Sequence, residues 1–99
     1  MSIEGLEITH MNNGNSGEYR ASVPDSEKIG RLTWKLREPG VRVADHTLVP
    51  PAIGGRGIAA ALVDALIADA RKEGFRIVPQ CSYVEAKFRR NPEWSDLRA

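Results

Sequence analysis

The chain has 99 residues, of which 41% are hydrophobic and 27% charged, and its formal net charge is +1. This length suits one folded domain, and the near-neutral charge excludes a global field that would draw the chain to nucleic acid or to a membrane. The single cysteine, Cys81, excludes an internal disulfide framework and a cysteine-rich zinc site. We therefore expect one domain over residues 1–99 in a cytoplasmic setting, without a signal peptide or a membrane-spanning segment.

The first half of the chain has the alternating pattern of β-strands. Hydrophobic residues alternate with polar ones in four segments, and clusters of Asn, Gly, Pro and Ser separate them: 6–11, 18–23, 28–37 and 41–49. Short turns between such segments predict an antiparallel meander of four strands. In the fourth strand, simple alternation places Asp45 and Thr47 on the face of the valines, and His46 on the opposite face with Ala44 and Leu48.

The hydrophobic period then changes to that of a helix. Apolar residues recur every four positions from Ile58 to Ala70, and Gly74 is a typical residue after a helix end, which predicts a helix over about residues 57–73. A fifth strand over 75–78 follows, parallel to the fourth because a helix connects them. A short helix over 83–90 ends at the Asn-Pro that follows it. The predicted fold is therefore α/β, or α+β, with a mixed sheet.

The loop before the long helix is the strongest chemical signal in the sequence. It reads Gly54-Gly55-Arg56-Gly57, and no acidic residue appears before Asp64. A helix start carries unpaired N–H groups and partial positive charge, which a capping side chain or an acidic first turn usually satisfies. Here the glycines leave the backbone open and Arg56 adds charge. We interpret the loop as a site for a phosphate or diphosphate, the alternative being a flexible turn capped by water.

Two other phosphate-binding motifs fit less well. The P-loop requires a Gly-Lys-Ser/Thr ending, which is absent. The dinucleotide motif G-x-G-x-x-G/A matches residues 55–60, but no acidic ribose partner follows the next strand. Prolines instead point to a different ligand. Pro50 and Pro51 follow the fourth strand and Pro79 ends the fifth, so the two parallel strands should part in front of the helix and admit an extended, peptide-like arm.

Several segments together resemble the GNAT (general-control-related N-acetyltransferase) superfamily, and in particular its small, minimal members. The resemblance covers residues 31–97 and is carried by residues 45–50, the glycine loop, residues 78–84 and residues 89–94. It implies a GNAT-like acyl-CoA N-acyltransferase fold that binds acetyl-CoA between strands four and five. The superfamily loop usually begins with Arg or Gln, where this chain has Gly54.

The resemblance also assigns roles to residues. It implies that backbone amides of the loop and helix start contact the diphosphate, that the end of strand four contacts the pantetheine arm, that the last helix contributes to the cofactor site, and that Cys81 lies near the thioester. The implied cofactor-binding residues are Thr47, Leu48, Val49, Gly54, Gly55, Arg56, Gly57, Ile58, Ala59, Ala60, Tyr83, Arg89 and Arg90.

Two residues are candidates for catalysis. Cys81 can act as a nucleophile or an acid if a positive neighbour lowers its pKa, or it can be a small, partly buried hydrophobe. His46 has the intrinsic pKa of a base, and a structural role is an equal alternative. His10, in the first strand, is expected at the surface. We identify no metal site.

These features predict an acetyl-CoA-dependent N-acetyltransferase acting on an amine, either a small molecule or a protein, as a monomer or weak homodimer. The main alternative is a non-catalytic acyl-CoA-binding or sensing module. A nucleotide-binding protein of dinucleotide type is a third possibility.

Overall fold

The fold is built on a five-stranded sheet in the order β1-β2-β3-β4-β5. A computed structural model describes residues 4–99, so residues 1–3 of the predicted domain lie outside the described part. The strands are Glu7–Asn12, Ser16–Ser22, Gly30–Glu38, Val41–Leu48 and Arg76–Pro79. The first four are antiparallel, and β5 is parallel to β4. The predicted meander and parallel last strand are therefore confirmed.

Two helices complete the architecture. Helix α1, Ile58–Glu73, connects β4 to β5, and helix α2, Ser82–Arg90, follows β5. The periodicity predicted α1 to within one residue at its start. Two short 3₁₀ helices, Pro51–Ile53 and Pro92–Leu97, were not predicted from the sequence. Each begins at a proline, whose fixed φ suits the first turn of a helix. No helix in residues 4–99 has the length and hydropathy needed to cross a membrane.

One face of the sheet packs against the helices and forms the core. Cross-strand partners on this face include Tyr19 with Leu32 and Trp34 with Ala44, and all four are buried. Helix α1 covers them with an apolar stripe of buried residues: Ile58, Leu62, Val63, Leu66, Ile67 and Ala70. Each large apolar side chain so buried contributes about 1.5–3 kcal/mol. The opposite face of the sheet carries polar side chains, and we call it the open face.

A β-bulge in β4 changes which side chains reach each face. Thr33 and Trp34 are adjacent in β3, but their partners in β4 are His46 and Ala44. Asp45, which lies between those partners, is therefore the extra residue of the bulge. The side chain of Asp45 contacts Thr33 on the open face, beside His46. The prediction that Asp45 and His46 lie on opposite faces is therefore wrong. Beyond the bulge, Thr47 pairs with Leu32 and lies on the helix-covered face with Ala44.

Gly17 in β2 leaves room for the largest buried side chain. A Cβ at this position would stand 2.4 Å from the indole Cε2 of Trp34. We expect Gly17→Ala to displace the indole and to lower the free energy of unfolding by about 1–3 kcal/mol, as overpacking of a tight core does. Urea denaturation measures this. Ser22→Ala, at an exposed position of the same strand, should change stability by less than about 0.5 kcal/mol, and an equal effect of both substitutions would contradict the argument.

Candidate functional site

Helix α1 begins with amide groups that no side chain caps. Its N-cap residue, Gly57, has a left-handed backbone with φ 81°, and the first turn contains no acidic residue. The amide of Ala61 donates to the carbonyl of Gly57 at 3.0 Å. Across residues 4–99, the amides of residues 55–60 donate no hydrogen bond to a backbone or side-chain acceptor. The positive end of α1 is therefore exposed to any anion that approaches it.

The loop backbone is sterically open. At Gly55 and Gly57, which both have positive φ, an added Cβ would meet no atom within 4 Å. Arg56 between them forms a two-pronged ion pair with Asp25, from the β2–β3 connection, at 2.9 and 2.7 Å. This hydrogen-bonded pair holds the pKa of the Asp25 carboxyl below its usual range. Arg56 therefore fixes the loop to a neighbouring segment, a contact that the sequence did not reveal.

Strands β4 and β5 part towards the end of β4 from which the chain continues to α1. Their pairing runs from Val41 with Arg76 to Ala44 with Pro79, and the amide of Cys81 makes one further bond to the carbonyl of Ala44, at 2.9 Å. Residues 45–48 of β4 then have no strand partner on the β5 side within the described chain. The expected gap is present. It opens well before Pro50, because β5 is short and the chain turns into α2 directly after Pro79.

Cys81 lies where this gap begins. It is the N-cap residue of α2, and its Sγ is 3.4 Å from the hydroxyl Oγ1 of Thr47 in β4. Burial alone raises the pKa of this thiol. The Thr47 hydroxyl and the nearby backbone N–H groups of Val84, Tyr83 and Thr47 stabilise the thiolate by more than burial disfavours it, so the pKa lies below its usual value. The environment therefore favours the thiolate, the nucleophilic form of cysteine.

Comparison with known proteins shows the family of this chain. Residues 18–97 match the model of a family described as GCN5-related N-acetyl-transferase. The chain belongs to this family. Its fold is similar to the solution structure of a GCN5-like protein from Staphylococcus aureus, with a TM-score of 0.73 and 21% identity over 98% of this chain and 91% of the other. It is also similar to a GNAT family acetyltransferase from Elizabethkingia anophelis, crystallised with acetyl-CoA, with a TM-score of 0.65 and 11% identity over 91% of this chain and 76% of that one.

The GCN5-related fold distributes the remaining candidates of β4 and α1 over two sides. His46 is exposed on the open face, whereas Thr47 is half-buried near Cys81. Leu48 is 63% exposed where β4 lacks its neighbour. Other candidates offer mainly backbone, because their side chains pack on the core or are small: Val49, Gly54, Ile58, Ala59 and Ala60.

Candidates on α2 lie at two different places. Tyr83, in the first turn, is half-buried against the core, and burial raises the pKa of its phenol. The charges of Arg90 and of Asp64 in α1 also act on this phenol, in opposite directions. Arg89 instead contacts Glu85 at 3.4 Å, and Glu85 is also held by Arg98. Arg89 therefore belongs to an ion-pair network at the surface, with Glu85 and Arg98.

A polar cluster beneath β1–β3 was not anticipated. The imidazole of His10 stacks on the ring of Tyr19, with 4.0 Å between centroids, and its Nε2 accepts a hydrogen bond of 2.9 Å from the indole Nε1 of Trp34. Both His10 Nδ1 and the hydroxyl of Tyr19 face Asp69 of α1, at 3.5 and 2.8 Å. The expectation that His10 lies at the surface is wrong, because its partners are distant in sequence and no local pattern reveals them.

This cluster makes the stability of the GCN5-related domain depend on pH. Burial lowers the pKa of His10 from its usual 6.5, with Arg42 acting in the same direction and Asp69 and Glu73 opposing. A protonated Nε2 also cannot accept the bond from Trp34. The stability that neutral His10 contributes is therefore present above the unfolded-state pKa and is lost as pH falls through the folded-state value.

We expect the free energy of unfolding, measured in urea between pH 8 and pH 5, to fall less steeply for His10→Gln than for the wild type. The control is His46→Gln, which removes an exposed histidine and should keep the wild-type slope. A flatter slope in the control alone would contradict the assignment.

Proposed function

We propose that the chain is a single-domain, acetyl-CoA-dependent N-acetyltransferase that works in the cytoplasm as a monomer or weak homodimer. One observation carries this proposal: the amides of residues 55–60 are unbonded, and they follow the end of β4 that is not paired with β5. Such amides bind a diphosphate, and the gap offers β4 backbone to an amide-containing arm. The Elizabethkingia anophelis protein of similar fold was crystallised with acetyl-CoA, which supports this choice of ligand.

The residues present fit this ligand in two ways. The exposed helix start and the open glycines accept an anionic head, with Arg56 close enough to add a charge once its bond to Asp25 is exchanged. Thr47 and Leu48 at the unpaired end of β4, and Val49 directly after it, form the edge along which the pantetheine arm would lie. Tyr83 and Arg90 of α2 would flank the other side, and Arg89 would contribute only after leaving Glu85.

Acetyl-CoA supplies the acetyl thioester whose acyl carbon is transferred. We propose that the Cys81 thiolate attacks that carbon and forms a new C–S bond as the bond to the coenzyme sulfur breaks. The amine nitrogen then forms a C–N bond to the acetyl group, and Cys81 leaves again as a thiolate. Thr47 stabilises this thiolate in both steps through its hydroxyl.

The amine must lose protons to become and remain neutral during the transfer. His46 is the candidate base, because it lies on the open face directly before Thr47 and no described residue hydrogen-bonds its ring. Histidine is the side chain most often used to accept a proton in catalysis. The two predicted catalytic residues, His46 and Cys81, would thus act on the reactants from opposite sides of β4.

Initial-rate measurements with acetyl-CoA and a pool of amines test the function. We expect steady release of coenzyme A that depends on the amines, and acetyl-CoA should raise the melting temperature whereas NADH should not. Tight binding without turnover would instead support the acyl-CoA-sensing alternative. Stabilisation by NADH alone would support a dinucleotide-binding protein and overturn the proposal.

A further inference from the structure

The open face of the sheet contains a groove of about 550 Å³, a volume typical of small-molecule sites. It runs across β1 to β4, and among its lining residues are Met11, Ser16, Glu18, Thr33, Asp45 and His46. None of the residues that line it belongs to α1 or α2. The groove is therefore separate from the glycine loop and from the helix-covered side of the sheet, where Thr47 and Cys81 lie.

One end of the groove meets the point at which β4 and β5 part. Asp45 and His46 follow Ala44, the last β4 residue paired with β5, and the bulge turns both of their side chains to the open face. Thr47, the next residue, contacts Cys81 from the other side. A molecule in the groove would thus reach the candidate reaction centre from the side opposite to Cys81.

Asp45 supplies a buried negative charge at this end of the groove. Its side chain is only 7% exposed, and Oδ1 accepts a hydrogen bond of 2.6 Å from the Thr33 hydroxyl. Within residues 4–99, Oδ2 accepts no hydrogen bond, and the cation within 4 Å of it is Lys35 Nζ, at 3.8 Å. The Lys35 side chain is 74% exposed, so its ammonium group can leave at little cost. A buried carboxylate with a free oxygen favours a cationic partner.

We propose that this groove is the acceptor site and that it selects a small alkylamine, which binds as an ammonium ion on Asp45 Oδ2. This inference rests on the proposed function and names the substrate class for it. The volume of the groove suits a small molecule, and the apolar side chain of Met11 and the aliphatic part of Lys35 offer contacts for an alkyl chain. In the bound state the ligand ammonium takes the place of the Lys35 ammonium.

The bound ammonium must lose a proton before its nitrogen can attack. His46, adjacent to Asp45 on the same face, accepts this proton, and the neutral amine then forms the C–N bond to the acetyl carbon as the C–S bond breaks. The second proton on the new amide nitrogen leaves to solvent, and the sulfur leaving group departs as a thiolate. Asp45 binds and positions the amine and takes no part in the bond changes.

Binding to the protein without acetyl-CoA tests the site independently of turnover. We would titrate n-butylamine, 1,6-diaminohexane, 1-butanol and butanoate into the protein and follow backbone amide shifts by NMR. We expect the two amines to shift residues of the groove, and the alcohol and the carboxylate to leave them unchanged. In Asp45→Asn, Kd for the amines should rise about tenfold, the loss of a charge-assisted contact.

Glu7→Gln provides the matched control, because it removes one negative charge from an exposed residue of β1 outside the groove. It should change amine Kd less than twofold, and both variants should keep the wild-type affinity for acetyl-CoA. In turnover assays Asp45→Asn should raise the KM of the amine and not that of acetyl-CoA. Amine shifts outside the groove, or equal Kd in wild type and Asp45→Asn, would overturn the inference. Failure to bind acetyl-CoA would instead reject the proposed function.

Discussion

Ala60→Glu should weaken coenzyme A binding while leaving the protein as stable as the wild type or slightly more so. Ala60 lies in the first turn of α1, where no acidic residue is present. A carboxylate there interacts favourably with the helix start, by about 0.3–1 kcal/mol. The same carboxylate competes for the unbonded amides and repels a diphosphate. Calorimetric titration with coenzyme A should show Kd raised by about tenfold or more, with an unchanged or higher melting temperature.

Ala60→Gln separates charge from size. Glutamine has nearly the same shape as glutamate, so a Kd close to that of the wild type is expected. If both variants lose affinity equally, steric exclusion explains the loss and the electrostatic account of the helix start fails. If Ala60→Glu binds coenzyme A as tightly as the wild type, the amides of residues 55–60 do not form the anion site.

Replacing Cys81 by alanine should reduce kcat by about a hundredfold or more, because the nucleophile of the proposed covalent route is lost. Mass spectrometry of the wild type after brief exposure to acetyl-CoA should show one acetyl group on Cys81, and none in the variant.

Since the pKa of this thiol lies below its usual value, kcat/KM should rise with pH as the thiolate forms and reach its plateau at a lower pH than an ordinary cysteine would give.

Thr47→Val tests the environment of the thiol without removing it. The substitution keeps the shape of the side chain and deletes the hydroxyl that lies 3.4 Å from Sγ. The thiol pKa should rise, and the ascending limb of the pH profile should move to higher pH. Near-normal turnover by Cys81→Ala, together with an unacetylated wild type, would show direct transfer from thioester to amine and reject the covalent route.

The helix and the sheet order could be predicted from the sequence because their causes are local. Apolar residues at every fourth position and a glycine, Gly74, at the end predicted α1, which begins and ends at Ile58 and Glu73. Short turns rich in Asn and Gly predicted the hairpins. The 3₁₀ helices after Pro50 and Asn91 could not be predicted, since prolines mark the end of a strand or helix more clearly than they mark a new turn.

The bulge at Asp45 limited what the sequence could predict about the site. Strict alternation separates Asp45 from His46 and places His46 with Ala44, but one extra residue reverses the alternation for the rest of β4. No residue type in this segment signals a bulge. As a result, neither the groove on the open face nor the contact of Thr47 with Cys81 followed from the pattern of β4 alone.

Long-range ion pairs were equally inaccessible. The sequence shows Arg56 in the glycine loop, but its bond to Asp25 joins residues 31 positions apart, and nothing in either segment predicts the other. The same holds for His10 and Asp69. The family resemblance implied that Cys81 lies near the thioester, which residue spacing alone did not.

The change of side-chain alternation at the β4 bulge also affects the order in which substrates bind and products leave. In β4 the side chain of Thr47 faces the helices and that of His46 faces the opposite side of the sheet. On the proposed assignment, the acyl donor and the acceptor therefore bind from opposite faces of the sheet. The coenzyme need not leave before the amine binds, and the amine need not leave before the coenzyme is replaced. Free coenzyme A should therefore inhibit without competing against the amine, a kinetic pattern that a single shared entrance would not produce.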